Sequence, residues 1–361
     1  MRKLKGLSFL LIFVLLFAFI VTPAEAASKY TSKKDAFGNY QRIAYSRYLK
    51  QNVAADTDRN IYLMFGTSEK TDIRLLKDIT PNEVSYYKNT MIVYDWYSEH
   101  FSWKGMEGQG IPIVLLSSDE SYSKIRDNAF FAHDCGIANE VAPKFNSLKI
   151  TKKTTDSCLV FVPNALLSKP VGVCLDVVAH EYTHGVFDAR TGLNVAKGHW
   201  NQSTRALSEA YADIFAALID GNWALGEQIY TIRDLSDDDC DSLRILGISF
   251  EPDEHKVSLR FSHAAYMMHD CGFTDDEIAN IFFQSLDKKY GWKLSTSISD
   301  AADIILTVMD ERGYSYEDRL LVKSIFTVCT IKTTVKVSPP PPGSNNYSAI
   351  NRRSNPLVNC K

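Results

Sequence analysis

The chain lacks an excess of positive charge: 40 lysines and arginines stand against 43 acids, for a net charge of −3. That leaves no basic face for nucleic acid or for an anionic membrane surface. Beyond residue 21 no apolar run is long enough to span a bilayer. No internal repeat of domain length is visible, which argues against solenoids and propellers. No two cysteines have CxxC spacing, the usual mark of a structural zinc site. The tetrapeptide HDCG, at 133–136 and again at 269–272, is therefore read as coincidence together with disulfide use rather than a second metal site.

What is present first speaks to location. A basic start, MRKLK, precedes the apolar run LSFLLIFVLLFAFIV at 7–21 and the small-x-small triplet AEA at 24–26. This predicts a secretory signal peptide over 1–26, and so an exported protein free of the membrane after cleavage. Seven cysteines fit an oxidising compartment, and their odd number requires at least one free or intermolecular thiol. The remaining length suffices for two domains with a sizeable core.

Residues 27–82 read as a short, polar, weakly patterned N-terminal segment. A helix with an aromatic stripe is predicted over 83–101, followed by the glycine-rich turn GMEGQG and strands at IPIVLLSS, NAFFAH, SLKIT and CLVFVP. After Pro170 the pattern becomes helical, with helices over 172–189 and 205–220 and a run of them from 259. Thr274 with Glu277 makes a capping box, and Ser315 opens the last helix. The predicted class is α+β, with a β-rich N-terminal half at 83–190 and an all-α C-terminal half at 191–332. Residues 333–361 form a proline-rich tail.

The helix between the two halves carries AHEYTHGV, 179–186. Histidines four apart share a helix face, so His180 and His184 can reach one Zn2+ ion, with Glu181 beside it to handle the proton of a bound water. Two histidines on a helix can also be fortuitous, and the rest of the chain must decide. A catalytic zinc needs a third protein ligand and an open position. SEAYAD supplies Glu209, and Asp213 four positions later can orient a zinc histidine. Both acids sit among the apolar Leu207, Ala210, Ile214, Phe215 and Leu218, where a carboxylate needs a task.

With these residues in hand, DVVAHEYTHGV, LSEAYADIFAALID and WALGEQIY resemble the thermolysin-like zinc metallopeptidases, in the same order. The resemblance extends loosely over 85–332. It implies a two-domain metallopeptidase fold and hydrolysis of peptide bonds in peptide or protein substrates by a secreted enzyme, here expected to be a monomer. It implies zinc on His180, His184 and Glu209, Glu181 as general base and Asp213 behind the metal. Arg233 would bind the substrate carbonyl, His255 would stabilise the transition state, and Asn128 and Ala129 would hold the substrate backbone as an added strand. Val177, Leu225, Ile229 and Ile232 would favour a bulky hydrophobic residue after the scissile bond. A single Ca2+ site is implied at Asp176, Asp220 and Glu227, with Asn222 standing where the family has an acid.

The chain also departs from that pattern. The family's oxyanion tyrosine falls on Val195 counted forward from His184, and on Trp200, beside His199, counted back from Glu209. Glu251 and Asp253 are the candidates to orient His255. No long inhibitory prosegment is visible. These departures keep a second reading open, a weakened or inactive binding protein on a metallopeptidase scaffold.

Overall fold

The computed structural model describes residues 28–66, 71–118, 128–133, 157–162, 169–193, 202–229, 231–237 and 254–339. The predicted signal peptide, the SLKIT strand and the end of the tail lie outside these residues. Among them no helix is long and apolar enough to cross a membrane.

The segment before residue 83 is not a loose preface. It carries β1 (Lys29–Lys34), β2 (Tyr40–Tyr48), β3 (Gln51–Val53), β4 (Ala55–Asp56), β5 (Ile61–Gly66) and β6 (Thr71–Ile73). Strands β1 to β3 form an antiparallel sheet. Strands β4 to β6 join the main sheet, so the β-rich half begins well ahead of the boundary drawn from the sequence. The signal was faint because β1, KYTSKK, is largely exposed and lacks an apolar face.

Helix α1 (Pro81–Phe101) starts two residues before the predicted position. Thr80 and Glu83 close a capping box ahead of it, and Pro81 occupies the first turn. It links β6 to β7 (Ile113–Ser118), which lies parallel to β5. Strand β9 (Ser157–Val162) continues the sheet in parallel, and β8 (Asn128–His133) pairs antiparallel to β9 at the end of the order β4-β5-β7-β9-β8. Tyr86 of α1 stacks on Phe161 of β9 at 4.3 Å, fixing helix to sheet. Cys158 on β9 is disulfide-bonded, whereas Cys174 is a buried free thiol.

Helices α2 (Leu175–Thr191) and α3 (Gln202–Asp220) follow and pack on one another. The short β10 (Ala224–Leu225) and β11 (Arg233–Asp234) then form a hairpin. The C-terminal half is completed by α4 (Glu254–Asp270), α5 (Asp275–Ser285), α6 (Ile298–Glu311) and α7 (Tyr316–Val328). The capping box at Thr274 and the cap at Ser315 form as the sequence predicts. Phe101 stacks on Phe283 at 3.9 Å and Trp96 meets Phe215 edge-on, so α1 is packed against α5 and α3. One apolar cluster runs through both halves. The predicted tail is anchored at its start, where the Asp303 carboxylate accepts the Thr334 and Val335 N–H groups.

Candidate metal centre

Helix α2 is held on three sides. Its Thr183 bonds the Tyr97 hydroxyl of α1 at 2.8 Å, its outer face packs on α3, and Gly185 lets β8 and the loop after α1 come close. A Cβ at Gly185 would lie 2.8 Å from Met106 Cβ and 3.1 Å from the Phe131 ring. The missing side chain is therefore what allows the motif helix to lie against the sheet.

Within this arrangement His180 Nε2 and His184 Nε2 face each other at 3.2 Å. Glu209, from α3, places Oε2 3.1 Å from His180 and Oε1 3.7 Å from His184. The far nitrogens are both occupied: His180 Nδ1 lies 2.9 Å from Asp213 Oδ1, and His184 Nδ1 lies 2.8 Å from Ser208 Oγ. Arg233, from β11, donates to the same Asp213 oxygen at 2.7 Å and is buried with it. The structure thus brings His180, His184, Glu209, Asp213 and Arg233 together. It adds Ser208, which the sequence reading missed. The available signal was a hydroxyl one residue before Glu209, on the turn that faces His184.

The electrostatics follow from burial and charge. Desolvation would raise both acids, but Arg233 and His180 hold Asp213 below the usual carboxylate range. The histidines likewise hold Glu209 well below it. Burial lowers His184 to about 4, which keeps it neutral. Burial raises Glu181 to about 7, with Glu209 adding to the rise and His180 opposing it. The Phe131 N–H of β8 donates to Glu181 Oε2 at 2.8 Å.

This donor set suits a metal. With Nδ1 of each ring directed at Asp213 or Ser208, two Nε2 lone pairs and a carboxylate converge on one point. One proton between the rings would satisfy only part of the set. Glu209 Oε2 is buried, and none of its contacts among the described residues has hydrogen-bond geometry. A cation of zinc's size and ligand preference would satisfy all of them.

No family model matches the chain. A gelatinase of Enterococcus faecalis is 29% identical over 143 residues, 40% of this chain and 22% of that protein. A thermolysin of Alicyclobacillus acidocaldarius is 29% identical over 140 residues, 31% of this chain and 25% of that one. Among solved structures, the precursor of protealysin, a metalloproteinase from Serratia proteamaculans, superposes with a TM-score of 0.55. It is 17% identical and covers 75% of this chain and 88% of its own. The chain is thermolysin-like. It spans about a quarter or less of the length of the curated relatives it matches.

In this thermolysin-like frame the other predicted residues fall as follows. His255 lies in the first turn of α4, not in a loop, with Nε2 3.0 Å from Glu209 Oε2. Asn128 and Ala129 open β8, the terminal strand of the main sheet among the described residues. Val177 sits one turn before His180, and the Ile232 N–H donates to the Leu225 carbonyl at 2.7 Å beside Arg233. Asp176, Asp220 and Glu227 bring carboxylate oxygens within 4.8 Å of one another. Asn222 does not join them through the oxygen it directs at Ala224 N–H, at 3.1 Å, to close the turn. Val195, His199, Trp200, Glu251 and Asp253 lie outside the described residues.

Proposed function

We propose that this chain is a secreted zinc endopeptidase that cleaves peptides before a bulky hydrophobic residue. The observation that carries the reading is Glu181, which follows His180 on α2, feels the charges of His180 and Glu209, and is held by a strand N–H. Such a carboxylate adds nothing to packing or to metal retention. The relatives called gelatinase and thermolysin support a peptide substrate.

His180, His184 and Glu209 would hold the zinc, which supplies a polarised carbonyl and an acidified water when bound. Glu181 takes the proton at Oε1, since Oε2 accepts the Phe131 N–H, and returns it to the leaving amine. Its elevated proton affinity suits both halves of that exchange. Arg233 braces Asp213 and offers its guanidinium to the developing oxyanion. Asn128 and Ala129 at the sheet edge would pair with the substrate backbone, and Val177, Leu225, Ile229 and Ile232 would form an apolar pocket. Asp176, Asp220 and Glu227 would hold calcium, a role supported by the buried Glu227 Oε2, which makes no hydrogen bond among the described residues.

The test is cleavage of casein and of a fluorogenic peptide by the purified protein, with and without chelator, beside Glu181→Gln. Zinc retained with cleavage lost by at least about a hundredfold is expected for the variant. A wild-type protein that binds zinc stoichiometrically and cleaves nothing would overturn the reading in favour of a binding protein. Equal cleavage before charged residues would overturn the specificity alone.

A further inference from the structure

We infer that His263 is a positioning residue: its ring ties α4 to the hairpin of β10 and β11 and so sets where Arg233 meets Asp213. The catalytic consequence rests on the zinc peptidase reading above, whereas the tether itself stands apart from it. His263 Nδ1 lies 2.7 Å from the Leu235 carbonyl, and both residues are buried. A carbonyl oxygen can only accept, so the ring hydrogen sits on Nδ1 and is donated to Leu235. The Leu235 N–H in turn donates to the Trp223 carbonyl at 2.8 Å. Trp223 meets Tyr266 edge-on at 5.7 Å, and Tyr266 stacks on the His263 ring at 5.8 Å. His263 and Tyr266 stand three apart on α4 and share a face. That face grips both chain ends at the base of the hairpin.

The hairpin needs this support. Its register holds only Ala224 against Asp234 and Leu225 against Arg233, and an isolated two-stranded ribbon is marginal at best. Arg233 lies two positions before Leu235, and its guanidinium donates to Asp213 Oδ1 at 2.7 Å. A guanidinium is a planar fork, so a small turn of the strand misaims its remaining N–H groups. His255 stands on the same helix, eight positions before His263 and about 12 Å along its axis. With the hairpin tied to α4, one rigid helix fixes the separation between His255 and Arg233, the two groups assigned to the developing oxyanion. A misplacement of about 1 Å in such a pair can cost about a hundredfold in rate.

The experiment compares His263→Leu, which removes the donor, with His263→Asn, whose amide can donate from nearly the same place. His263→Gln, whose longer side chain carries its amide past the carbonyl, repeats the loss in a second form. Ser262→Ala is the control, because its hydroxyl bonds back to Ser258 and Leu259 of α4 and its loss leaves the tether alone. Nitrogen-15 NMR of the zinc-free, full-length protein should show His263 as the Nδ1–H tautomer. The Arg233 Nε–H signal, assigned with Arg233→Lys, should move in the Leu and Gln variants and return in His263→Asn. In the zinc-loaded protein kcat should fall about tenfold or more in the Leu and Gln variants, with KM changed less than about twofold. His263→Asn should recover kcat to within about threefold, and Ser262→Ala should keep it. An Nε2–H tautomer, or an Arg233 signal unmoved in both loss variants, would overturn the inference. So would a fall in kcat as deep in Ser262→Ala as in His263→Leu, which marks a merely structural role. A wild type that binds zinc and cleaves nothing would overturn the proposed function, and the Arg233 signal would still decide the tether.

Discussion

Gly185→Ala tests the packing that presents the metal helix. The substitution adds one methyl group to a helix interior, where alanine is favoured over glycine by about 1 kcal/mol. Against this, the new Cβ would meet Met106 Cβ at 2.8 Å and the Phe131 ring at 3.1 Å. A Cβ cannot rotate out of the way, so the 105–110 turn must shift, and overpacking of this kind costs about 1–3 kcal/mol. The net loss expected is up to about 2 kcal/mol, read as a fall in melting temperature of up to about 8 °C. Activity should fall further than stability alone predicts. The strand pushed away is the one whose Phe131 N–H holds Glu181, and a displacement well under 1 Å should lower kcat by about tenfold. Calorimetry and peptide hydrolysis on the zinc-loaded variant measure the two effects. A double-mutant cycle with Met106→Gly should recover about 1 kcal/mol of coupling. A Gly185→Ala protein that melts at or above the wild-type temperature with unchanged kcat would refute the close approach of α2 to β8.

Two further outcomes follow from the buried charges. Asp213→Asn removes the anion that faces both Arg233 and His180, and zinc affinity measured by chelator competition should fall about 10–100-fold. Equal affinity would show that Asp213 does not orient His180. In calcium-free buffer, burial pushes Asp176 up to about 7, with Asp220 and Glu227 adding and the Gly226 N–H opposing. The unfolded value is about 3.9, so the folded state takes up this proton first as pH falls. Wild-type stability should therefore rise relative to Asp176→Asn as pH drops from about 8 to about 5. Parallel melting curves across that window would refute the assignment.

The cluster of candidate metal ligands was legible because its logic is local. His180 and His184 need only a helical period to share a face, with Glu181 beside them, and the acids of α3 stand out against Ala210, Ile214 and Phe215. Arg233 and His255 were found through a resemblance, since a two-residue strand and a first helical turn leave no periodic trace. Ser208 was missed because a serine has many uses, and only the fold shows that it faces His184. The early strands were missed for a related reason. Strand β1 is held by backbone pairing to β2, a partner its side chains do not announce.

The Phe131 N–H has one more consequence. Strand β8 pairs with β9 on one side, and on the other the Phe131 donor is already spent on Glu181. An added strand cannot run through that point with an unbroken ladder, because its carbonyl would have to compete with a carboxylate for the same hydrogen. Under the proposed reading, a substrate docked on β8 would pair along the stretch that Asn128 and Ala129 open, ahead of that point. On that reading the spent donor would act as a stop on a ruler, limiting how far such a peptide could slide and so which of its bonds would come to rest beside Glu181.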